Sequence, residues 1–253
     1  MNVRCRICLG IAILFVFIPL TSNAQTPSPP PGVMKAAEPA GDLAFGRFIA
    51  LIRGHLLTGE ELVERHDWSE AYPHFTYPTE EIYGVIRDEL RDYNTPPFDG
   101  ALKVLERVVK ARNAKQYSKA LEKVDDALAK ADAGLKARVR NWPRFEAAVA
   151  VEVLETALEE YDEAIADGRI VHAVGYRTAR GFILQADRMI ERIAPALSAD
   201  NAAELTEIRA GIARIKPAFA TLNAPDRQAI DDAAFLDAIS QIRAAAAKIP
   251  AVH

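Results

Sequence analysis

Beyond residue 24 this chain contains no cysteine; its only two, Cys5 and Cys8, lie in the first ten residues. Without thiols, the body of the protein has no disulfide, thiolate metal site, covalently attached c-type haem or cysteine nucleophile. Histidine is nearly as scarce, with five in 253 residues. Excess positive charge is missing too. A formal net charge of −4 leaves no electrostatic footprint for nucleic acid or an anionic membrane surface. The sequence also lacks GxSxG, a phosphate loop of the Walker type, GxGxxG, HExxH and the clustered acidic loop of an EF-hand. These absences lean away from an enzyme and toward a binding protein stabilised by its core, with a hydrolase as the remoter reading.

Apolar length is concentrated at the start, in MNVRCRICLGIAILFVFIPLTSNAQ. Arg4 and Arg6 precede an apolar run from Leu9 to Leu20, and Ser22-Asn23-Ala24 supplies a small-residue cleavage site. This is the pattern of a secretory signal peptide, 1–24, and the run falls short of the roughly 20 residues a spanning helix needs. The Cys5/Cys8 pair goes with it, and losing Arg4 and Arg6 takes the net charge from −4 to −6. No later run is long enough to span a bilayer, so no membrane insertion is expected after signal removal. The expected location is periplasmic. Residues 25–41, rich in Pro and Ala, read as an extended tether without amphipathic pattern.

What remains has helical period almost throughout. Phe48, Ile52, His55, Gly59 and Leu62 form one stripe; Tyr117, Leu121, Val124, Leu128 and Ala131 form another. Leu205, Ile208, Ile212, Ile215 and Phe219 repeat the spacing, as do Phe235, Ile239, Ile242, Ala246 and Ile249. Strand-like alternation is absent. Breaks fall at Asn94-Thr-Pro-Pro and Asp167-Gly168, with Gly134 placed at a helix end and helix starts at Ser198-Ala-Asp-Asn and Asn223-Ala-Pro-Asp. The fold class expected is all-α, an antiparallel bundle of seven or eight helices that a boundary near residues 134–143 would divide into two packed four-helix halves, 42–133 and 134–253. The tetratricopeptide signature is missing. A fainter echo relates ELVERHDWSEA (61–71) to EAIADGRIVHA (163–173), both reading as helix, tight turn, helix.

Three of the five histidines, His55, His66 and His74, fall between residues 54 and 84, together with Trp68, Tyr72, Phe75, Tyr77 and Tyr83. His55 lies on the apolar stripe and so faces inward. If the chain reverses near Asp67 with residue 65 opposite 69, His74 comes near Glu60 and Glu80 near His55. Imidazole and carboxylate from facing helices are how bundles hold first-row metals, imidazole suiting iron, copper and zinc. The candidate metal ligands are therefore His55, His74, Glu80 and Glu81, with Glu60 in second rank. The competing reading makes His55 a core histidine, the aromatics corner packing, and Glu80 and Glu81 first-turn acids after Pro78. A second constellation pairs His172 with Tyr176 on one helical face, beside the acidic run Glu159, Glu160, Asp162 and Glu163.

The segments A-x-x-HF-x-x-P-x-EEIY (71–83) and Y-x-x-A-x-GF (176–182) resemble the imelysin-like periplasmic proteins. The resemblance covers residues 42–248 in general organisation and implies an exported helical domain with an iron-associated role. That family's Gly-x-His-x-x-Glu pattern is absent. Its nearest approach is Gly54-His55 with Glu60 and Glu61 further on, so no residue role is carried over. The function expected is a non-enzymatic periplasmic protein that binds or handles a divalent transition-metal ion, with a protein–protein adaptor holding no metal as the alternative. The partner is thus a metal ion or another protein.

Overall fold

The computed structural model describes residues 41–250; the expected signal peptide and all of the tether up to residue 40 lie outside the described residues. Helix α1, Asp42–Glu64, is the element on which the rest is built. Phe45, Ile49, Leu51, Ile52, Leu56 and Leu62 are all buried, and they point to more than one side of the helix. A helix apolar on most of its circumference is a core helix, packed on several sides rather than lying on a surface. A turn at Arg65–Asp67, with His66 left-handed at φ 65°, reverses the chain into α2, Trp68–Tyr77. Then follow a π-helical turn at Pro78–Ile82, the one-turn α3 (Tyr83–Ile86) and a 3-10 turn at Leu90–Tyr93.

Helices α4, Asp99–Lys110, and α5, Ala114–Arg138, make a hairpin whose second arm starts with Asn113 accepting from the Gln116 amide. Four further helices follow: α6 (Trp142–Glu163), α7 (Ala173–Asp200), α8 (Ala202–Ile215) and α9 (Asp232–Lys248). Each packs on its neighbour in order, α6 on α7, α7 on α8 and α8 on α9, and α9 closes the circuit on α6. That is an antiparallel four-helix bundle. Helix α1 lies against its α6–α7 side while also contacting α2 and α5. The protein is all-α, with eight helices of ten residues or more among those described. One two-residue antiparallel pair, Ile165–Ala166 with Arg169–Ile170, turns α6 into α7 through Asp167 and Gly168, both at positive φ. Positive φ at both central residues is what the tightest hairpin turn requires.

Two expected breaks fall elsewhere, and a third falls at the end of its segment. Gly134 does not end a helix; it lies inside α5, where a Cβ would overlap the Tyr93 carbonyl oxygen. Its role is close approach between α5 and the turn at 90–93. The break at Ser198-Ala-Asp-Asn comes at its last residue: α7 continues to Asp200, with the Ser198 hydroxyl bonded back to the Pro195 carbonyl, and α8 starts at Ala202 right after Asn201. The Asn223-Ala-Pro-Asp segment does not start a helix because its backbone is engaged across the strand pair. The Ile170 amide donates to the Asp226 carbonyl and the Gln228 amide to the Gly168 carbonyl. Helix α9 begins only at Asp232, after Asp231 accepts from the Ala234 amide at 2.7 Å.

Candidate metal centre

The crossing of α1 and α7 sets the site. At Gly54 an added Cβ would collide with the Phe182 ring, and at Gly181 it would overlap the Gly54 carbonyl and the Thr58 hydroxyl. The two glycines let the backbones approach while Phe182 swings over α1. Thr58, fully buried, donates to the Arg177 carbonyl at 3.0 Å and pins the same crossing. His55, next in sequence to Gly54, is thereby held edge-on against Phe182, ring centres 5.1 Å apart.

Helix α2 brings the second imidazole. Gly59 makes room for Phe75, so α2 lies close along α1, and the His55 and His74 rings stand with centres 5.8 Å apart. Both are buried: His55 is 5% exposed and His74 not at all. Neither nitrogen of His74, nor Nδ1 of His55, has a hydrogen-bond partner in the protein. Buried polar atoms are nearly always paired, and each exception calls for a reason such as an ion or a bound group. Burial pushes the His55 imidazole down to about 3, and His74 is driven well below the ordinary range by burial, then by His55 and Arg177. Both rings are therefore neutral at physiological pH, the form that ligates metals. Two imidazoles sharing one ion through metal–nitrogen bonds of about 2.0–2.1 Å hold their ring centres roughly 5–6.5 Å apart, and the observed spacing lies in that interval.

The carboxylates expected beside them are placed differently. Pro78 opens a π turn, closed by the Tyr83 amide on the Pro78 carbonyl, five residues back. This wider turn takes an extra residue, so positions after Tyr77 lose the register extrapolated from a straight α2. Glu80 is exposed and Glu81 half-buried. Glu60 is half-buried toward α5, facing Asp125. No group of three or more His, Cys, Asp or Glu side chains among the described residues is arranged to hold a metal. What stands next to the imidazoles instead is Tyr77, its ring 5.6 Å from that of His55 and half-buried. Burial first, and then the carboxylates of Glu160 and Glu81, raises its hydroxyl above the ordinary phenol value. Glu160 is itself pushed up to about 7, by burial first and then by Glu163 and Glu159.

The second constellation has a structural explanation. His172 is exposed at the start of α7, whereas Tyr176 is buried with its hydroxyl 3.2 and 3.1 Å from the Ala218 and Thr221 carbonyls. Tyr176 fastens the segment after α8 to α7 and does not join His172. Tyr77 and Glu160 stood out in the sequence only as members of an aromatic stretch and an acidic run, and Phe182 only as the end of the 176–182 segment; none was read as a neighbour of the imidazoles. Only the Gly-Phe of the 176–182 segment hinted at a close helix crossing.

Residues 136–251 match the family model described as the iron permease-associated 4-helix bundle domain. The matched stretch is less than half of the chain and contains α6 to α9, the four helices of the closed circuit. The helical-domain part of the resemblance read from sequence therefore stands, but the family that matches is not the imelysin-like one. No curated protein and no solved structure matches the chain.

Proposed function

We propose that this protein is an exported, non-enzymatic helical module that serves iron transport beside a permease and takes its metal ion on His55 and His74. The observation that carries the reading is the buried imidazole pair with three unpartnered nitrogens, seated by α7 of the bundle that matches an iron permease-associated domain. The donor chemistry fits: neutral imidazoles suit iron, copper and zinc. Metal here is cargo, bound and passed on, so the site needs no reacting groups.

A second reading, a scaffold that docks the permease and holds no metal, has its own support. The matched bundle contains neither His55 nor His74. One experiment separates the two. The protein, purified without a histidine tag, is titrated by calorimetry with ferrous iron, copper and zinc, alongside His55→Gln and His74→Gln. The metal reading expects saturable binding near one equivalent that both substitutions abolish while the melting transition persists. Equal, weak uptake by all three proteins would leave the scaffold reading standing alone.

A further inference from the structure

Two imidazoles do not complete a coordination shell, since zinc takes four donors and other first-row ions take four to six. Further donors come from solvent and from whatever side chain touches the pair. Phe182 carries no donor atom. Tyr77 does: it lies on α2 three residues beyond His74, hence on the same face of the helix, and its ring packs against His55. It is also less enclosed than the imidazoles, and the Glu160 and Glu81 carboxylates lie near enough to bear on its hydroxyl.

Resting on the reading that His55 and His74 take a metal ion, we infer that Tyr77 is a third, oxygen donor of this site and tilts it toward ferric iron. Phenolate is a hard, anionic ligand, and hard oxygen donors favour ions of higher charge density, whereas two imidazoles alone suit the divalent series. On coordination the phenol O–H bond breaks, its proton leaves to the Glu160 carboxylate or to water, and the freed oxygen lone pair forms the bond to the ion. No electron is gained or lost.

The test is optical. Full-length untagged protein is titrated with ferric citrate and, separately, with zinc, and visible absorption is recorded with the binding isotherms. A tyrosinate-to-iron charge-transfer band is expected, saturating with one ferric ion. Tyr77→Phe, which keeps the ring and removes only the oxygen, should abolish the band and weaken ferric binding at least about tenfold while zinc binding persists. Ferric binding without the band, or a band that survives Tyr77→Phe, overturns the assignment of Tyr77 and leaves the imidazole pair intact. Indifference of both metals to His55→Gln and His74→Gln overturns the pair itself, and Tyr77 with it.

Discussion

At the scale of single residues, the sequence pattern could place His55 inward but could not tell a satisfied core histidine from an unpartnered one. That distinction depends on which atoms surround Nδ1, and no periodicity encodes it. Glu60 shows a related gap. Its position on α1 was legible, but its electrostatic surroundings come from other helices: Asp125 on α5 and Glu64 on its own helix raise it, and Arg188 on α7 lowers it. Together with burial, the leading cause, they hold the carboxyl up at about 7. The sign of the consequence follows from linkage. Below the ordinary carboxyl range, folded and unfolded chains are both protonated at Glu60 and the folded state has its full stability. As pH rises through about 7 the folded carboxyl must ionise in a poor setting, and stability falls. Glu60→Gln should therefore match the wild type at pH near 4 and exceed it by about 1 kcal/mol at pH 8, allowing for solvent screening of a half-buried group. Urea unfolding at the two pH values measures this. A difference independent of pH would show that Glu60 ionises freely in the folded protein.

At the scale of elements, the helices were readable because their apolar positions recur at the helical period, and the turn at 64–68 because polar residues interrupt it. The echo between residues 61–71 and 163–173 sets His66 against Gly168, and both are left-handed in the folded chain. What the pattern could not show was the π turn at Pro78–Ile82, because a proline near a helix end is equally compatible with a new start. That one widened turn is the reason Glu80 faces out. Glycines were the other ambiguity. Gly134 and Gly181 both sit mid-helix, where the residue costs about 1 kcal/mol against alanine, yet each is required by a backbone that approaches it. Gly181→Ala would place a methyl group against the Gly54 carbonyl and the Thr58 hydroxyl, prising α1 from α7. A loss of about 1–3 kcal/mol is expected, read as a fall in Tm of roughly 3–10 °C, with metal uptake weakened because His55 rides on the displaced helix. Gly100, exposed near the start of α4 with no atom within 4 Å of an added Cβ, supplies the contrast. Gly100→Ala should be neutral or stabilising by up to about 1 kcal/mol. If both substitutions cost the same, the α1–α7 crossing is not the close contact that seats the site.

At the scale of the whole molecule, an all-α bundle was legible, since nearly every run has helical period and the breaks are short. A four-helix second half was legible too; the closure of α9 back on α6 was not, because the order in which helices pack depends on interhelical contacts that periodicity alone leaves open. The reading of the protein as an iron-transport module also depends on where the molecule works. A disulfide-free chain with net charge −6 after signal removal gains nothing from an oxidising compartment, so export must be argued from Arg4, Arg6, the Leu9–Leu20 run and Ser22-Asn23-Ala24 alone. Those features make a specific demand: cleavage after Ala24. Expressed in a Gram-negative host, the protein should appear in the periplasmic fraction with Gln25 as its first residue, which intact-mass measurement resolves from the uncut chain. Ala24→Arg should block cleavage and hold the precursor at the membrane, because the cleavage site must present a small residue. An uncut, cytosolic wild-type chain would remove the permease-side role on the outer face. The imidazole pair would then be handling metal inside the cell, against different competing ligands.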